Sequence, residues 1–581
     1  MRLPRSKTKT IASIGSLALL LATGALAGCG GGGSSTPGDV DDDFPQALAA
    51  GLAPTPPMGW NSWNEFQGNV SEKLIKSVAD ALMANGLKDA GYTYVNIDDT
   101  WSNKAGRASD GSLQPDLNKF PDGISGVADY VHAAGLKLGI YGDRGTATCG
   151  GYPGSQGYEM QDASTFASWG VDYLKYDNCN ASLNVETQYQ TMQTALAATA
   201  RPFVFSLCAW QFYEWGVTTG NLWRTTSDIS DGWPSIYANL LNNRTYAAYA
   251  GPNGWNDPDM LEVGVSDDLF TESVSHTEYQ SHFSLWAISA APLILGDDPT
   301  QLPDNPDILS ILTNKEVIAL DQDPLGLQGT QVWQSSDGTL SVWAKPLNAE
   351  GARGVVLLNA GADPADVSFT LPQIGLAGGS AKLRDLVAHA DLGTFDDSYT
   401  VAAIPSHGTA TLLVTGSEPP SPSGTQDLSD LTWTYQANGL GPVERDMSNG
   451  FSEAGDGTPI SLFGTPYAKG LGMAAPAAVI YRLNKKCTSF SATVGIDDST
   501  NGQGSVVFQV WAQGGKDDAW TNLFTSLTLT GLNGSGPMAV PFQVDLTGMR
   551  RLKLLVTNAG DGAAWDRASW GNPQIVCASA K

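Results

Sequence analysis

The sequence predicts an α/β protein: a (β/α)8 TIM barrel followed by an antiparallel β-sandwich and a further C-terminal β-sandwich module. Two observations predict this fold. Between residues 53 and 328, short β-branched or aromatic runs alternate with helical segments, a pattern typical of a parallel sheet closed into a barrel. From residue 329 onward, apolar and polar residues alternate with period two between glycine- and aspartate-rich turns, which is typical of antiparallel strands.

The barrel region supplies eight strand candidates, and helical patterns separate them. In the first helical segment, Leu74, Val78 and Leu82 recur at helical spacing and Gly91 marks the end. The predicted strands are 59–63, 94–98, 136–141, 173–176, 203–207, 222–225, 255–257 and 293–295. The predicted helices are 72–90, 124–134, 163–169, 185–200, 235–242 and 278–289.

Two all-β regions follow the barrel. The first, residues 329–416, is predicted to be a sandwich with strands at 330–333, 340–344, 354–358, 367–371 and 409–414. A linker rich in proline and serine, residues 417–426, separates it from the second. The second region, residues 427–581, has strand candidates at 489–494, 505–511, 540–545, 552–556 and 574–576.

The N-terminus has the pattern of an export signal. Four basic residues precede an apolar stretch, and the run Leu26-Ala-Gly-Cys29 resembles the bacterial lipoprotein cleavage box. We therefore expect residues 1–28 to be a signal peptide, Cys29 to be lipidated and residues 29–52 to form a flexible tether. Ordinary signal cleavage with an incidental Cys29 is the alternative. The expected location is the bacterial cell envelope, at the periplasm or cell surface, with a lipid anchor as the sole membrane contact.

Charge and cysteine content narrow the function classes. Lys+Arg 32 against Asp+Glu 59 gives a net charge of −27, which argues against a nucleic-acid partner and fits a neutral ligand such as a sugar. The six cysteines suit an oxidising compartment. Cys149 and Cys179 follow neighbouring strands and could pair, as could Cys487 and Cys577 at the two ends of the last region, which leaves Cys208 as a buried thiol.

Carboxylates at strand ends carry the chemistry. Asp177 and Asp228 each follow a predicted strand, and two carboxylates facing one bond are the equipment of glycoside hydrolysis. Lys175 lies two residues before Asp177, on the same strand face, so Asp177 is the better nucleophile candidate. Asp228, four residues after Arg224, is the acid/base candidate if its pocket raises its pKa. A carboxyl separation of about 5–5.5 Å would give retention, and about 6.5–9.5 Å inversion.

A metal is the alternative use of these residues. Asp98 and Asp99 follow one buried strand, and such a pair could hold Ca²⁺ instead of a ligand hydroxyl. No cysteine and histidine cluster has zinc spacing. We expect no cofactor for catalysis; a structural Ca²⁺ in the C-terminal module has no support in the sequence.

Residues from about 56 to 325 resemble the glycoside hydrolase family 27 α-galactosidases. The matching runs are Pro57-Met-Gly-Trp-Asn-Ser-Trp63, Asn96-Ile-Asp-Asp99, Leu136-Lys-Leu-Gly-Ile-Tyr141, Asp172-Tyr-Leu-Lys-Tyr-Asp177, Leu222-Trp-Arg224 with Asp228, Gly254-Trp-Asn-Asp-Pro-Asp-Met-Leu261 and Trp286-Ala-Ile-Ser-Ala-Ala-Pro292. The resemblance implies a retaining exo-glycosidase that releases terminal α-D-galactosyl residues from an oligo- or polysaccharide through a covalent galactosyl-enzyme.

The resemblance also implies roles for individual residues. Asp177 would be the nucleophile and Asp228 the acid/base. The substrate-binding set would be Trp63, Asp98, Asp99, Tyr141, Cys149 (bridged to Cys179), Lys175, Ala209, Arg224 and Met260.

One position departs from the family pattern. Many relatives carry glutamate where this chain has Ala209, and a small residue there is similar to the α-N-acetylgalactosaminidases. Galactose remains the first expectation, with α-N-acetylgalactosaminidase or β-L-arabinopyranosidase activity as alternatives. A non-catalytic sugar-binding lipoprotein is the rival from another class.

Residues from about 425 to 576 resemble the NPCBM type of carbohydrate-binding module. The matching runs are Tyr467-Ala-Lys-Gly-Leu-Gly-Met-Ala474, Ala492-Thr-Val-Gly-Ile-Asp497, Ser505-Val-Val-Phe508 and residues 552–561. The family's Asp-His-Ala-Asp-Trp run stands here as Asp566-Arg-Ala-Ser-Trp570. Trp565 or Trp570, if exposed, could stack on a sugar; both could equally be buried.

Overall fold

The structure, a computed structural model, describes residues 51–265, 274–514, 519–531 and 539–579. The predicted signal peptide, nearly all of the tether and Cys29 lie outside these ranges. Within them, no helix combines the length and the apolar character that crossing a membrane would require.

Eight parallel strands form the barrel in the order β7-β6-β5-β4-β3-β2-β1-β8. The ring closes where Leu261, just after β7, bridges Leu295 at the end of β8. Closure matters because it brings all eight strand ends to one rim. The strands are β1 (Met58–Asn61), β2 (Tyr94–Ile97), β3 (Lys137–Asp143), β4 (Tyr173–Asp177), β5 (Val204–Leu207), β6 (Leu222–Arg224), β7 (Trp255–Asp257) and β8 (Leu293–Leu295).

Helices cover the outside of the barrel, and local capping fixes several of their starts. The Ser71 hydroxyl accepts a hydrogen bond from the Leu74 amide at the start of α2, and Ser275 forms a capping box with Glu278 at the start of α9. The helices are α1 (Trp63–Phe66), α2 (Glu72–Ala84), α3 (Leu87–Ala90), α4 (Gly123–Ala133), α5 (Glu159–Ser168), α6 (Val185–Ala197), α7 (Gly216–Thr219), α8 (Trp233–Asn243), α9 (His276–Ile288), α10 (Pro306–Leu312) and α11 (Lys315–Asp321).

The middle region is a β-sandwich, as predicted. A six-stranded antiparallel sheet, ordered β14-β13-β16-β11-β10-β9, accompanies the β12-β15 pair. Strands β13 to β15 were not predicted. Most side chains of β14 are exposed, so it lacks the alternation that marks a half-buried strand, whereas β13 does alternate between exposed and buried residues and was missed. The strands are β9 (Thr330–Gln334), β10 (Leu340–Pro346), β11 (Ala352–Asn359), β12 (Ala365–Thr370), β13 (Ser380–Asp385), β14 (Ala390–Asp396), β15 (Ser398–Ile404) and β16 (Thr409–Thr415).

The C-terminal module is a second sandwich. Its two main sheets run β19-β22-β30-β24-β28 and β18-β23-β29-β25-β26, with β17 added to β30 and β27 to β25. The strands are β17 (Thr425–Asp427), β18 (Tyr435–Ala437), β19 (Glu444–Arg445), β20 (Ser461–Leu462), β21 (Thr465–Pro466), β22 (Gly470–Ala474), β23 (Ala477–Arg482), β24 (Cys487–Ile496), β25 (Ser505–Gln513), β26 (Trp520–Thr525), β27 (Leu529–Thr530), β28 (Ala539–Asp545), β29 (Arg551–Thr557) and β30 (Arg567–Cys577).

The cysteines pair as expected. Cys149 is bonded to Cys179, and Cys487 to Cys577, while Cys208 is a free, buried thiol. The second bridge spans 90 residues of sequence and joins the start of β24 to the end of β30.

The two tryptophans proposed for sugar stacking differ in exposure. Trp570 is 0% exposed and packs in the core of the C-terminal module, so the buried alternative holds for this residue. The side chain lies on the inner face of β30, where the alternating pleat directs it inward. Trp565 is 50% exposed and remains a candidate.

Candidate active site

The strand ends of the barrel enclose a cavity of about 290 Å³. Ten of the sequence-predicted residues line it, which places both carboxylate candidates in one pocket. They are Trp63, Asp98, Asp99, Tyr141, Cys149, Lys175, Asp177, Arg224, Asp228 and Met260.

Asp177 ends β4 and lies in the wall of the pocket, only 7% exposed. Its Oδ2 accepts a hydrogen bond from the Tyr141 hydroxyl at 2.9 Å, and its Oδ1 accepts one from the Asn178 amide at 2.8 Å. Burial raises the pKa of Asp177, while the Lys175 charge and the Tyr141 hydrogen bond oppose that rise. The carboxylate is therefore held in one orientation by donors that favour its charged form.

Lys175 forms its ion pair with a different carboxylate from the one the sequence suggested. Its Nζ lies 2.7 Å from Oδ2 of Asp98. The same oxygen accepts a hydrogen bond from the side-chain amide of Asn61 at 2.8 Å. Burial alone would lower the pKa of Lys175, but the facing carboxylates hold it well above its usual value. The ammonium therefore stays charged and acts on Asp177 through space.

Asp99 is oriented by backbone amides. The Gly150 amide donates to its Oδ2 at 2.7 Å, and a Cβ at position 150 would lie 2.9 Å from that oxygen, so the close approach needs glycine. Thr100, which follows, has φ of 74° and donates its amide to Oδ1 at 2.6 Å. A β-branched residue in that conformation is strained, and such strain clusters at functional sites.

Among the residues that the structure describes, Arg224 is the side chain that holds Asp228. Arg224 Nη2 lies 3.1 Å from its Oδ1, and 70% of the Asp228 side chain is exposed. The pocket therefore buries Asp177 but leaves Asp228 in contact with solvent. The two carboxylates meet different environments, and the desolvation expected around the acid/base candidate is found at Asp177 instead.

Asp259 lies two residues after β7, among the polar groups expected at the strand ends, but the sequence assigned it no role. Its carboxylate pairs with Arg224 Nη2 at 3.0 Å and accepts the Ile229 amide at 2.9 Å, and it has φ of 84°. It therefore fixes both the guanidinium that holds Asp228 and the backbone that follows Asp228. The strand pattern placed it at the rim, but its partners are set by contacts that only the folded chain shows.

Six further residues line the cavity without having been assigned a role from the sequence. Asn64 donates to Glu262, a carboxylate only 2% exposed. Asn64 directly follows the predicted strand 59–63, whereas Glu262 lies five residues beyond the predicted strand 255–257, and only the folded chain brings the two together. The additional lining residues are Asn64, Gln67, Ile229, Ser230, Asp259 and Glu262.

Ala209 does not line the cavity. It is 5% exposed and packs within the core cluster of the barrel. Its neighbour Cys208 accepts a hydrogen bond from Arg224 Nη1 at 3.4 Å. The segment after β5 is therefore connected to the site through the Arg224 guanidinium.

Asp143 lies beneath the disulfide at the end of β3, paired in register with Asp177. Burial raises its pKa to about 7, although the Gly145 and Cys179 amides donate to its oxygens at 2.7 and 2.9 Å. Asp143, Cys149 and Cys179 are the only group of three metal-type ligands among the described residues, and both cysteines are consumed by their disulfide. The Asp98–Asp99 pair forms no such group there, since Lys175 takes the place of a cation.

Three family models match the chain. Residues 55–323 match "Alpha galactosidase A", residues 337–414 match "Alpha galactosidase C-terminal beta sandwich domain" and residues 424–576 match "NPCBM/NEW2 domain". The chain is 47% identical over 375 residues to a probable α-galactosidase of Dictyostelium discoideum, covering 64% of this chain and 94% of that protein. It is 45% identical over 333 residues to α-galactosidase A of Cellvibrio japonicus, covering 55% and 79%.

A solved structure shows the same likeness. α-Galactosidase I of Mortierella vinacea superposes with a TM-score of 0.59 at 36% identity, covering 63% of this chain and 98% of that one. The C-terminal module matches a family model of its own.

Proposed function

The chain belongs to the α-galactosidases of glycoside hydrolase family 27, and from that premise we propose that Asp177 and Asp228 cleave terminal α-D-galactosyl residues by double displacement. The protein is a glycoside hydrolase acting on terminal α-galactosyl residues, and retention is general in this family. The observation that carries the proposal is the placement of both carboxylates in one pocket, and the roles of the two are those that family membership implies.

In the first step, Asp177 attacks the anomeric carbon, and the bond to the leaving oxygen breaks. Asp228 donates a proton to that oxygen, which leaves as the alcohol of the shortened chain. In the second step, Asp228 takes a proton from water, which attacks the anomeric carbon and displaces Asp177. The product is free galactose, and both carboxyl groups regain their starting state.

Binding uses the polar rim. Asp98 and Asp99, each 2% exposed, present fixed acceptors, and the charged Lys175 presents donors between Asp98 and Asp177. A pocket that satisfies sugar hydroxyls with buried groups discriminates strongly, because an epimer leaves those groups unpaired. Selection of galactose by its axial 4-hydroxyl is therefore the expected basis of specificity.

The test compares hydrolysis of aryl α-galactoside, α-N-acetylgalactosaminide and β-L-arabinopyranoside by the wild-type protein. We expect galactoside to be the best substrate and Asp177→Asn to lower kcat by at least about 1,000-fold. Asp321→Asn, a buried aspartate outside the cavity, is the matched control. Hydrolysis of none of the three would favour a sugar-binding role, and full activity of Asp177→Asn would remove it as nucleophile.

We further propose that the protein is exported and anchored through a lipid on Cys29. The support is the Leu26-Ala-Gly-Cys29 run together with two disulfides, which persist in oxidising compartments. Mass spectrometry of the mature N-terminus tests this, with Cys29→Ser as control. A mature chain that begins elsewhere and carries no lipid would contradict it.

A further inference from the structure

The C-terminal module contacts the barrel at the loop that follows β5, residues 208–215. The amide of Gly560 in the module donates to Oε2 of Glu214 in this loop at 2.8 Å. The hydroxyl of Tyr249 on the barrel donates to Oδ1 of Asn558 at 3.4 Å, and that same oxygen accepts the Gly560 amide at 3.2 Å. A single module segment therefore contacts two barrel segments.

The Glu214 contact is partly shielded from solvent. Burial raises the pKa of Glu214, while donors from Thr557, Gly560 and Tyr249 favour its charged form. A desolvated carboxylate that receives several hydrogen bonds is costly to separate from them. Glu214 itself is half-buried, and its bond to Gly560 lies at an exposed position.

Aromatic packing connects this contact to the rest of the loop. Phe212 stacks on Tyr246 with ring centroids 4.1 Å apart and lies 4.8 Å from the ring of Tyr249. Tyr249, which touches the module, thus also supports the loop from the barrel side. Trp210 in the same loop has φ of 60°, a conformation that persists only where its surroundings impose it.

The loop begins at the catalytic site. Cys208 accepts a hydrogen bond from Arg224 Nη1 at 3.4 Å, and Nη2 of Arg224 holds Asp228 at 3.1 Å and Asp259 at 3.0 Å. A shift of the loop would displace one of the partners that fix this guanidinium. None of the module's described residues lines the cavity, so an influence of the module on Asp228 is indirect, and this loop is one route for it.

An apolar cluster keeps the module in place. Ala247, Ala248, Leu325 and Leu327 of the barrel region pack in one cluster with module residues such as Tyr435 and Leu555. The Tyr435 hydroxyl also donates to the Gln328 carbonyl at 3.0 Å. The module is thus packed against the catalytic domain, although a proline- and serine-rich linker precedes it in sequence.

We propose that the C-terminal module is a structural part of the active site, with Glu214 and Asn558 as positioning residues that hold the loop after β5 and, through Cys208 and Arg224, orient Asp228. This inference rests on the proposed function for its catalytic consequence, but the loop contact itself does not depend on activity.

The experiment compares Glu214→Ala and Asn558→Ala in the full chain with Glu214→Gln, which keeps an acceptor for the Gly560 amide. The control is Arg482→Ala, which removes module contacts to Glu350 and Ser421 on the side of the β-sandwich. The measurements are kcat, KM and the basic limb of the pH profile of kcat/KM on an aryl α-galactoside. Hydrogen exchange of residues 208–215 is followed in parallel.

We expect the two alanine variants to lose roughly 5-fold in kcat/KM and to shift the basic limb, which reports the acid/base. Glu214→Gln and Arg482→Ala should stay near wild type. Alanine variants that melt earlier but keep the kinetics and the limb would overturn the proposal. If the wild-type protein hydrolyses no galactoside, the proposed function fails, and the loop contact is then judged by hydrogen exchange alone. Unchanged amide protection of residues 208–215 in Glu214→Ala would refute the loop contact.

Discussion

Replacing Tyr141 with phenylalanine isolates one hydrogen bond to the nucleophile. Tyr141 is 2% exposed, and its hydroxyl donates to Asp177 Oδ2 at 2.9 Å. Phenylalanine keeps the ring, including the face that lies 5.5 Å from Lys175 Nζ, and removes only the donor. The substitution therefore changes the electrostatics of Asp177 with little change in packing.

The expected magnitude follows from the type of bond. A hydrogen bond to a charged group contributes about 1.5–3 kcal/mol, and about 1.4 kcal/mol corresponds to a tenfold change in the acid dissociation constant. Burial already raises the pKa of Asp177, and this bond opposes the rise. Its loss should therefore raise the pKa of Asp177 further, by about 1–2.

The assay is the pH profile of kcat/KM on an aryl α-galactoside, whose acidic limb reports the carboxylate that must be ionised in the free enzyme. We expect that limb to move to higher pH in Tyr141→Phe. At a fixed pH below the limb, kcat/KM should fall about tenfold for every increase of about 1 in the pKa of Asp177. The control is Tyr92→Phe, an equally buried tyrosine that donates to the Leu312 carbonyl at 2.8 Å outside the cavity. An acidic limb at the wild-type position would refute the role of Tyr141.

Three further predictions concern the pocket and the C-terminal module. Asp259→Asn removes a charge that holds Arg224 and should lower kcat more than it raises KM, by roughly 10- to 100-fold in steady-state assays; an effect confined to KM would contradict this. Burial raises the pKa of Asp566 to about 8, so its protonated form favours the fold, and stability should fall as pH rises from about 4 to 8. Asp566→Asn, which mimics the protonated form, should raise the melting temperature at pH 9 but not at pH 4. Equal changes in melting temperature at the two pH values would contradict this prediction. Removing the Cys487–Cys577 bridge with paired serines should cost about 2–5 kcal/mol in denaturant unfolding of the module; an unchanged midpoint would show that the bridge is dispensable.

The sequence by itself determined the layout of the chain. Alternation of strands and helices up to residue 328 and the later change to period two are local properties, readable without neighbours in space. The positions of Asp98, Asp177 and Asp228 after strands followed from the same pattern, because parallel strands of a barrel end at one rim. The positions of the cysteines suggested both pairings as hypotheses, and the structure contains both bridges.

The tertiary structure alone decided which groups touch. Lys175 on β4 shares a strand face with Asp177, yet its ammonium pairs with Asp98, which follows β2, two strands away in the barrel. Ala209, expected at the substrate, is buried, while Asp259 holds the guanidinium beside Asp228. Spacing along a strand fixes the side from which a residue projects, but the partner is set by contacts between residues distant in sequence. The same reason applies to the C-terminal module, whose contact with Glu214 spans 346 residues of sequence and has no local signal.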